Sequence, residues 1–251
     1  MNETERHARD TLKGQGFRVT SVPRTDTKTA DFLVEDDRST YLVEVTGKEE
    51  SEFLRNLLSE ARRRGRSYGS RGISPSNTLD GVVRKKARQL AETSVRADFQ
   101  VLWIGAFHGD AGYLANLLLR TLYGVAEVYA IRSPREQPSL HECLYYHRFS
   151  FFRATNLDAV VFSTKNHGML CVNALSERAD RFRETKLYGL FESPVDPARA
   201  PDGVLVVAPE VDRTRPNGQW QHLKDHYGLM TSVVAECECR GVRVRRRDSS
   251  A

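Results

Sequence analysis

Alternation of apolar and polar residues characterises the first part of the chain and predicts short β-strands there. The segments FRVTSV, ADFLVE and TYLVEV carry apolar residues in alternation or in short runs, as strands with buried faces do. The polar turn DDRS joins the second segment to the third, and Asp and Ser are common in tight connections. Positions 3 to 13 carry helix formers, and KGQGF follows with Gly14 and Gly16, which end helices easily. The pattern therefore predicts a helix followed by a three-stranded meander.

After the meander, the pattern predicts a loop and then alternating helices and strands. The segment from about 59 to 77 is rich in Arg, Gly and Ser and predicts a long loop. SNTLDGVVRKKARQLAETS has apolar residues at helical spacing and Ser76, Asn77 or Thr78 as its cap. The pattern then predicts a strand in DFQVLWIGAF, a helix in DAGYLANLLLRTLYG and a strand in VAEVYAI. This is the order of a parallel crossover unit.

The second half of the chain begins after RSPREQPS (132 to 139), a polar segment with two prolines that predicts a linker. Beyond it we expect a hairpin across KNHG, a helix in SERADRFRETKLYGLF, a strand in GVLVVAPEV, a short helix in GQWQHLKDHYGLM, and one or two strands in SVVAECECRGVRV. These elements predict an α/β protein with a core over residues 1–131 and an α+β extension over 140–251. Whether the extension is an independent domain stays open.

Composition indicates a globular protein. The chain has 251 residues and a hydrophobic content of 39%, enough for a sizeable core. Its longest apolar runs are too short for a membrane span, and MNETERHARD is charged from the start, unlike a signal peptide. The four cysteines show no CxxC spacing, which favours reduced thiols. We therefore expect a cytoplasmic protein without a membrane partner.

Positive charge is concentrated in two segments. The formal net charge is only +5, but RNLLSEARRRGRSYGSRG (55 to 72) has six arginines and one acidic residue, and RGVRVRRR (240 to 247) has five arginines. Such runs are compatible with a solvated surface or with contacts to phosphates. Both interpretations stay open.

Two carboxylates interrupt the apolar strands of the meander. If the hairpin is centred on Asp37 and Arg38, Asp31 lies opposite Glu44, with Cβ atoms about 4.5 to 5.5 Å apart on one face of the sheet. Two carboxylates at that separation repel each other unless a proton or a cation lies between them. A divalent ion such as Mg²⁺, which prefers oxygen ligands, would satisfy both. A register slip of one residue would put them on opposite faces.

Residues 3 to 105 resemble the PD-(D/E)XK phosphodiesterase superfamily, the fold of many restriction, repair and recombination nucleases. Asp31 in ADFLV matches the family's Asp on the second strand, with Ala30 where a proline is often found, and Glu44 in EVTGK matches the acidic residue on the third. Thr46 stands where the family has its lysine. The resemblance implies a restriction-endonuclease-like core, in which helix, three-stranded meander, helix and strand form a mixed central sheet flanked by helices.

Two lysines are candidates for the missing one. Lys48 would approach Glu44 only if the chain turned back at Gly47, and Lys86 falls at helical spacing with Val83 and Leu90. A solvent-exposed lysine is the alternative for each. The resemblance further suggests Glu5 as an additional metal-facing acid and Gln89 as a residue near the scissile phosphate. A polar residue on an exposed helical face explains these two equally well.

The resemblance implies a nuclease that hydrolyses phosphodiester bonds, in DNA rather than RNA. In this interpretation Asp31 and Glu44 hold Mg²⁺ or Mn²⁺ and a lysine stabilises developing charge. The residues expected to follow the nucleic-acid backbone are Arg62, Arg63, Arg64 and Arg66. Two alternatives stay open: a catalytically inactive relative that binds nucleic acid or a partner protein, and an interaction subunit of a larger assembly. The resemblance is also compatible with a homodimer.

Overall fold

The computed structural model describes residues 1–23, 29–49, 52–64, 66–133, 135–215, 217–235 and 238–245. The helices are α1 (Glu3–Gly14), α2 (Glu52–Arg64), α3 (Asn77–Glu92), α4 (Ala111–Tyr123), α5 (Ser150–Arg153), α6 (Ala179–Arg183), α7 (Lys186–Gly189) and α8 (Gly218–Tyr227), with a 3-10 turn at Pro197–Arg199. The strands are β1 (Arg18–Ser21), β2 (Phe32–Glu35), β3 (Thr40–Lys48), β4 (Arg66–Ile73), β5 (Phe99–Ala106), β6 (Ala126–Ile131), β7 (Ser139–Leu144), β8 (Ala159–Ser163), β9 (Gly168–Val172), β10 (Leu205–Val206), β11 (Thr231–Ala235) and β12 (Glu238–Arg245).

The first sheet is mixed and has six strands in the order β1-β2-β3-β5-β8-β9. Its first three strands form the antiparallel meander, β3, β5 and β8 run parallel, and β9 returns antiparallel to β8. Helices cover both faces of this sheet. The predicted α/β class, with a mixed sheet flanked by helices, is therefore confirmed.

The hairpin between β2 and β3 has the predicted register. Phe32 pairs with Val43 and Glu35 with Thr40. The Asp36 side chain accepts hydrogen bonds from the backbone amides of Arg38 and Ser39, each at 2.8 Å. This side-chain bonding closes the turn, because Asp can hydrogen-bond the backbone two and three residues further on. The turn thereby fixes which residues of β3 face each side of the sheet.

Both faces of β3 are buried. On one face, Val43 and Val45 share a hydrophobic core with Ala8 and Leu12 of α1. On the other face, Leu42 packs in a core that includes residues of α3 and α4. Residues alternate between faces along a strand, so Glu44 lies on the same side as Leu42. Its carboxylate therefore lies between the sheet and α3.

The second sheet has four strands in the order β10-β7-β6-β11 and packs against α8. The predicted parallel crossover from β5 to β6 is therefore wrong: β5 belongs to the first sheet, whereas β6 pairs antiparallel with β7 and β11 in the second. The predicted linker joins β6 to its neighbour β7. The division between 1–131 and 140–251 does not coincide with the sheets, because β8 and β9 complete the first one.

The long loop predicted from about 59 to 77, within the arginine-rich segment 55–77, is also wrong. Leu54, Leu57 and Ala61 form a buried stripe that folds the segment into α2, and the intervening arginines mask this apolar spacing in the sequence. The next residues form β4, which pairs antiparallel with β12. This partner lies at the other end of the sequence, so no local pattern announces the strand.

Two smaller differences concern the second half. The long helix expected after 175 is two short helices, α6 and α7, and the strand expected in GVLVVAPEV is reduced to β10. Within the described ranges, no helix combines the length and the apolar character needed to cross a bilayer.

The end of α4 offers a test of the close contact between Gly124 and His147. Gly124 has a φ of 59°, and a Cβ built on it would lie 2.0 Å from the backbone oxygen of His147. We expect Gly124→Ala to lower the free energy of unfolding by more than about 2 kcal/mol, because the left-handed conformation costs about 1 kcal/mol and the clash adds to it. Chemical denaturation measures the loss.

Gly228 is the matched control for this substitution. It ends α8 with a φ of 65° and has nothing within 4 Å of an added Cβ. Gly228→Ala should therefore cost only the conformational term of about 1 kcal/mol. Equal losses in the two variants would contradict the close contact with His147.

Candidate active site

Asp31 and Glu44 lie together at the start of β2 and the middle of β3. The Asp31 amide donates to the oxygen of Val43 at 3.1 Å, and the Asp31 carboxylate accepts a hydrogen bond from the Val45 amide at 2.8 Å. Asp31 is thereby held against β3 on both sides of Glu44. The Glu44 side chain is only 2% exposed, so the pair combines one partly exposed carboxylate with one that is buried.

Helix α3 supplies the groups that contact Glu44. Lys86 Nζ forms an ion pair with Glu44 Oε1, and Gln89 Nε2 donates to Glu44 Oε2 at 2.8 Å. Gln89 Nε2 also lies 2.6 Å from the oxygen of Thr29. Lys86 and Gln89 are three residues apart and therefore share one side of the helix. The structure thus brings together four of the predicted residues, Asp31, Glu44, Lys86 and Gln89.

The position of α3 follows from its sequence. The Ser76 side chain caps its first turn by accepting from the Leu79 amide, and Val83 and Ala87 bury the apolar stripe against the first sheet. Lys86 borders this stripe, and 22% of its side chain is exposed. Its ammonium group can therefore reach Glu44 without being fully removed from water.

Thr93 is a residue of the site that the sequence pattern did not reveal. Its hydroxyl accepts from the Ala30 amide at 3.0 Å and donates to the oxygen of Gln89 at 2.8 Å. It therefore ties the residue before Asp31 to the end of α3. A threonine just after a helix is too common a signal to single out.

Burial dominates the electrostatics of Glu44. Desolvation, with a smaller contribution from the neighbouring Asp31 charge, raises the pKa of Glu44 to about 7, even though Lys86 and Gln89 act to lower it. The two stabilising partners therefore do not fully offset the cost of burying the charge. A second cation close to both carboxylates would favour the ionised form.

The two carboxylates suit a hard divalent cation. Mg²⁺ is commonly held by one or two carboxylates, with water and substrate phosphate filling the remaining positions. In the part of the chain that the structure describes, no group of three or more His, Cys, Asp and Glu residues could hold a metal ion. Asp31 and Glu44 therefore fit Mg²⁺ or Mn²⁺ only as a partial ligand set that substrate and water complete.

Lys48 does not approach Glu44 through a turn at Gly47, as the sequence analysis required. Strand β3 does not turn back at Gly47: Thr46 pairs with Ile104 and Lys48 with Ala106 along β5. A Cβ on Gly47 would lie 2.7 Å from the Thr4 hydroxyl, so this glycine permits the close approach of α1. Lys48 consequently lies four residues beyond Glu44 on an extended strand, about 13 Å away. Burial lowers the pKa of Lys48.

Glu5, suggested as a metal-facing acid, completes a helix cap in the structure. The Asn2 amide donates to Glu5 Oε2 at 2.9 Å, and the Glu5 amide donates to Asn2 Oδ1 at 2.9 Å. This is a capping box, in which each side chain bonds the other residue's backbone. Helix α1 packs on the face of the first sheet opposite to α3, away from the Glu44 carboxylate.

The predicted phosphate-binding arginines lie on a different element from the carboxylates. Arg62, Arg63 and Arg64 are exposed in the last turn of α2. Arg64 pairs with Glu60 at 3.0 Å, and Arg66 is the first residue of β4. Arg62, Arg63 and Arg64 are not among the described contacts of Glu44.

The titration of Glu44 predicts a pH-dependent stability. The folded state binds this proton more tightly than the unfolded chain, whose glutamate has a pKa of 4.5. The contribution is therefore fully present below pH 4.5 and is lost as the pH rises through about 7. At about 1.4 kcal/mol per pKa unit, the loss is on the order of 3 kcal/mol.

Glu44→Gln removes this titration and keeps the shape of the side chain. We expect the wild-type free energy of unfolding to fall relative to that of the variant between pH 5 and pH 8, in urea titrations without divalent ions. The difference between the two proteins cancels the titration of all other groups. Parallel pH profiles would contradict the raised pKa of Glu44.

Comparison of the chain with protein-family models, with curated proteins and with solved structures gives no match. The chemistry of this site therefore has to be argued from its own residues.

Proposed function

We propose that this chain is a metal-dependent nuclease with a restriction-endonuclease-like core, acting on DNA rather than RNA. The observation that carries the proposal is the buried Glu44 carboxylate, which lies beside Asp31 and is contacted by Lys86 and Gln89. Paired carboxylates and a nearby ammonium group are the groups that metal-assisted phosphodiester hydrolysis uses. The order of α1, the meander, α3 and β5 supports the same interpretation.

Asp31 and Glu44 would hold Mg²⁺ or Mn²⁺ through their oxygens. When bound, such an ion polarises a phosphoryl oxygen and lowers the pKa of a coordinated water. Asp31 is already oriented by its bond from the Val45 amide. Gln89 fixes the Glu44 carboxylate from the opposite side, since its amide is itself held by the oxygen of Thr29.

Lys86 is the residue that we assign to the role of the missing lysine. Thr46 carries no charge, and Lys48 lies further along the strand. Lys86 approaches Glu44 from the helix, and its ammonium group is partly exposed. It can therefore release Glu44 to a cation and donate to the negative charge that develops on the scissile phosphate.

A catalytically inactive relative is the second candidate. It is favoured by Thr46 and by the engagement of both Glu44 oxygens by Lys86 and Gln89. In this case the ion pair only fastens α3 to the first sheet, and the protein binds nucleic acid or a partner protein without cutting it. The two candidates differ in whether the carboxylates are needed for anything besides stability.

Cleavage assays test the nuclease. Supercoiled plasmid, linear duplex, single-stranded DNA and RNA are incubated with the protein in Mg²⁺, Mn²⁺ or EDTA. We expect metal-dependent cleavage of DNA that Asp31→Asn and Glu44→Gln each reduce at least about 100-fold, because each removes a charged metal ligand. Circular dichroism verifies that the variants are folded. Retention of DNA without cleavage in any metal would favour the inactive relative.

A comparison of lysine variants identifies the catalytic cation. Lys86→Met should lower the cleavage rate about 100-fold or more, because it removes charge stabilisation in the transition state. Lys85→Met is the matched control, since Lys85 is the exposed neighbour on the same helix, and it should leave the rate unchanged. A full loss in Lys48→Met with normal activity of Lys86→Met would assign the role to Lys48 instead.

A further inference from the structure

Charge is strongly segregated along the chain. Residues 55–72 and 240–247 contain eleven of the 38 Lys and Arg residues and one of the 33 Asp and Glu residues. The rest of the chain has 27 basic and 32 acidic residues. The net positive charge therefore resides entirely in these two segments, on a protein that is otherwise acidic.

The fold brings the two segments together. Strands β4 and β12 pair antiparallel over eight residues, from Arg66 opposite Arg245 to Ile73 opposite Glu238. We refer to this pair of strands as the arginine ribbon. Helix α2 packs against β4 and ends directly before it with the exposed Arg62, Arg63 and Arg64. The described arginines of both segments are thus concentrated in one region.

The register of the arginine ribbon opposes like charges. Arg66 is directly opposite Arg245, and Arg71 is directly opposite Arg240. Like charges at directly opposite positions destabilise an antiparallel pair. The backbone pairing therefore works against electrostatic repulsion, which a bound polyanion would relieve.

The two faces of the arginine ribbon differ in character. Because residues alternate along a strand, Arg66, Tyr68, Arg243 and Arg245 share one register face. The other face carries Ile73, Val242 and Val244 together with Arg71, Arg240 and Glu238, and Ile73 is 2% exposed. The face that carries three arginines and the tyrosine is thus opposite to the one that contains the buried Ile73.

We propose that the arginine ribbon binds double-stranded DNA by contacting the phosphates of the DNA. A two-stranded ribbon fits the major groove of B-form DNA, which is about 12 Å wide, whereas the major groove of an RNA duplex is deep and narrow. Eight residues per strand span about 27 Å, or about eight base pairs. The choice of nucleic acid as the polyanion rests on the proposed function, whereas the charge pattern does not.

Binding without catalysis tests this interface. The full chain is titrated in EDTA against a labelled DNA duplex of 30 base pairs, the matching single strand, an RNA duplex and heparin, and fluorescence anisotropy is recorded over a range of salt concentrations. The ribbon variant combines Arg66→Gln, Arg243→Gln and Arg245→Gln. The matched control combines Arg96→Gln, Arg135→Gln and Arg215→Gln, which lie on exposed positions elsewhere.

The wild type and the control should bind the DNA duplex more tightly than the RNA duplex, the single strand and heparin. The ribbon variant should bind it at least about tenfold more weakly, and the slope of log affinity against log salt should fall by about 2 to 3, because each lost phosphate contact removes about 0.9. The variant should nevertheless unfold at the same temperature or a higher one without DNA, since the substitutions remove like-charge repulsion.

Equal affinity and salt slope in the wild type and the ribbon variant would overturn the proposal. So would equal losses in the control variant, or binding of heparin or the RNA duplex as tight as that of the DNA duplex. The binding test distinguishes failure of this interface from failure of the proposed nuclease. DNA binding that depends on the ribbon, in a protein that cuts no substrate, would refute the nuclease and keep the interface.

Discussion

The arrangement of this structure depends on the burial of one carboxylate on the central strand. Glu44 lies where both faces of the first sheet are covered, and its charge is tolerable there only with partners. Those partners require the hairpin register that places Asp31 beside it and the position of α3 that places Lys86 against it. Thr93 couples the two requirements, because it bonds both the backbone before Asp31 and the end of α3.

A buried ion pair is by itself weak evidence for a stabilising contribution. Desolvation costs roughly what the pair regains, and well-packed apolar residues often stabilise such a position better. The raised pKa of Glu44 is consistent with this, since its partners do not restore the usual value. The proposed nuclease gives this buried pair a role other than stability, because Glu44 would there bind a cation together with Asp31.

Features that depend on neighbouring residues could be predicted from the sequence, whereas contacts between distant segments could not. The register followed from the turn at Asp36 and from strand alternation, and Lys86 followed from the spacing of the α3 stripe. The partner of β4 and the transfer of β6 to the second sheet depend on contacts between remote segments. At Gly47 the sequence allowed a turn, and only the packing of Thr4 shows that the glycine serves close contact. Glu5 was polar and helical as expected, but its capping role needed the geometry of Asn2.

The pairing of β4 with β12 also has a consequence for the order of folding. The first sheet draws all its strands from residues up to Val172 and can assemble while later residues are still being synthesised. Strand β4 must wait for residues 238–245, and closing so long a loop carries an entropic cost that is met only late. The segment after α2 therefore has no strand partner until residues 238–245 have been synthesised.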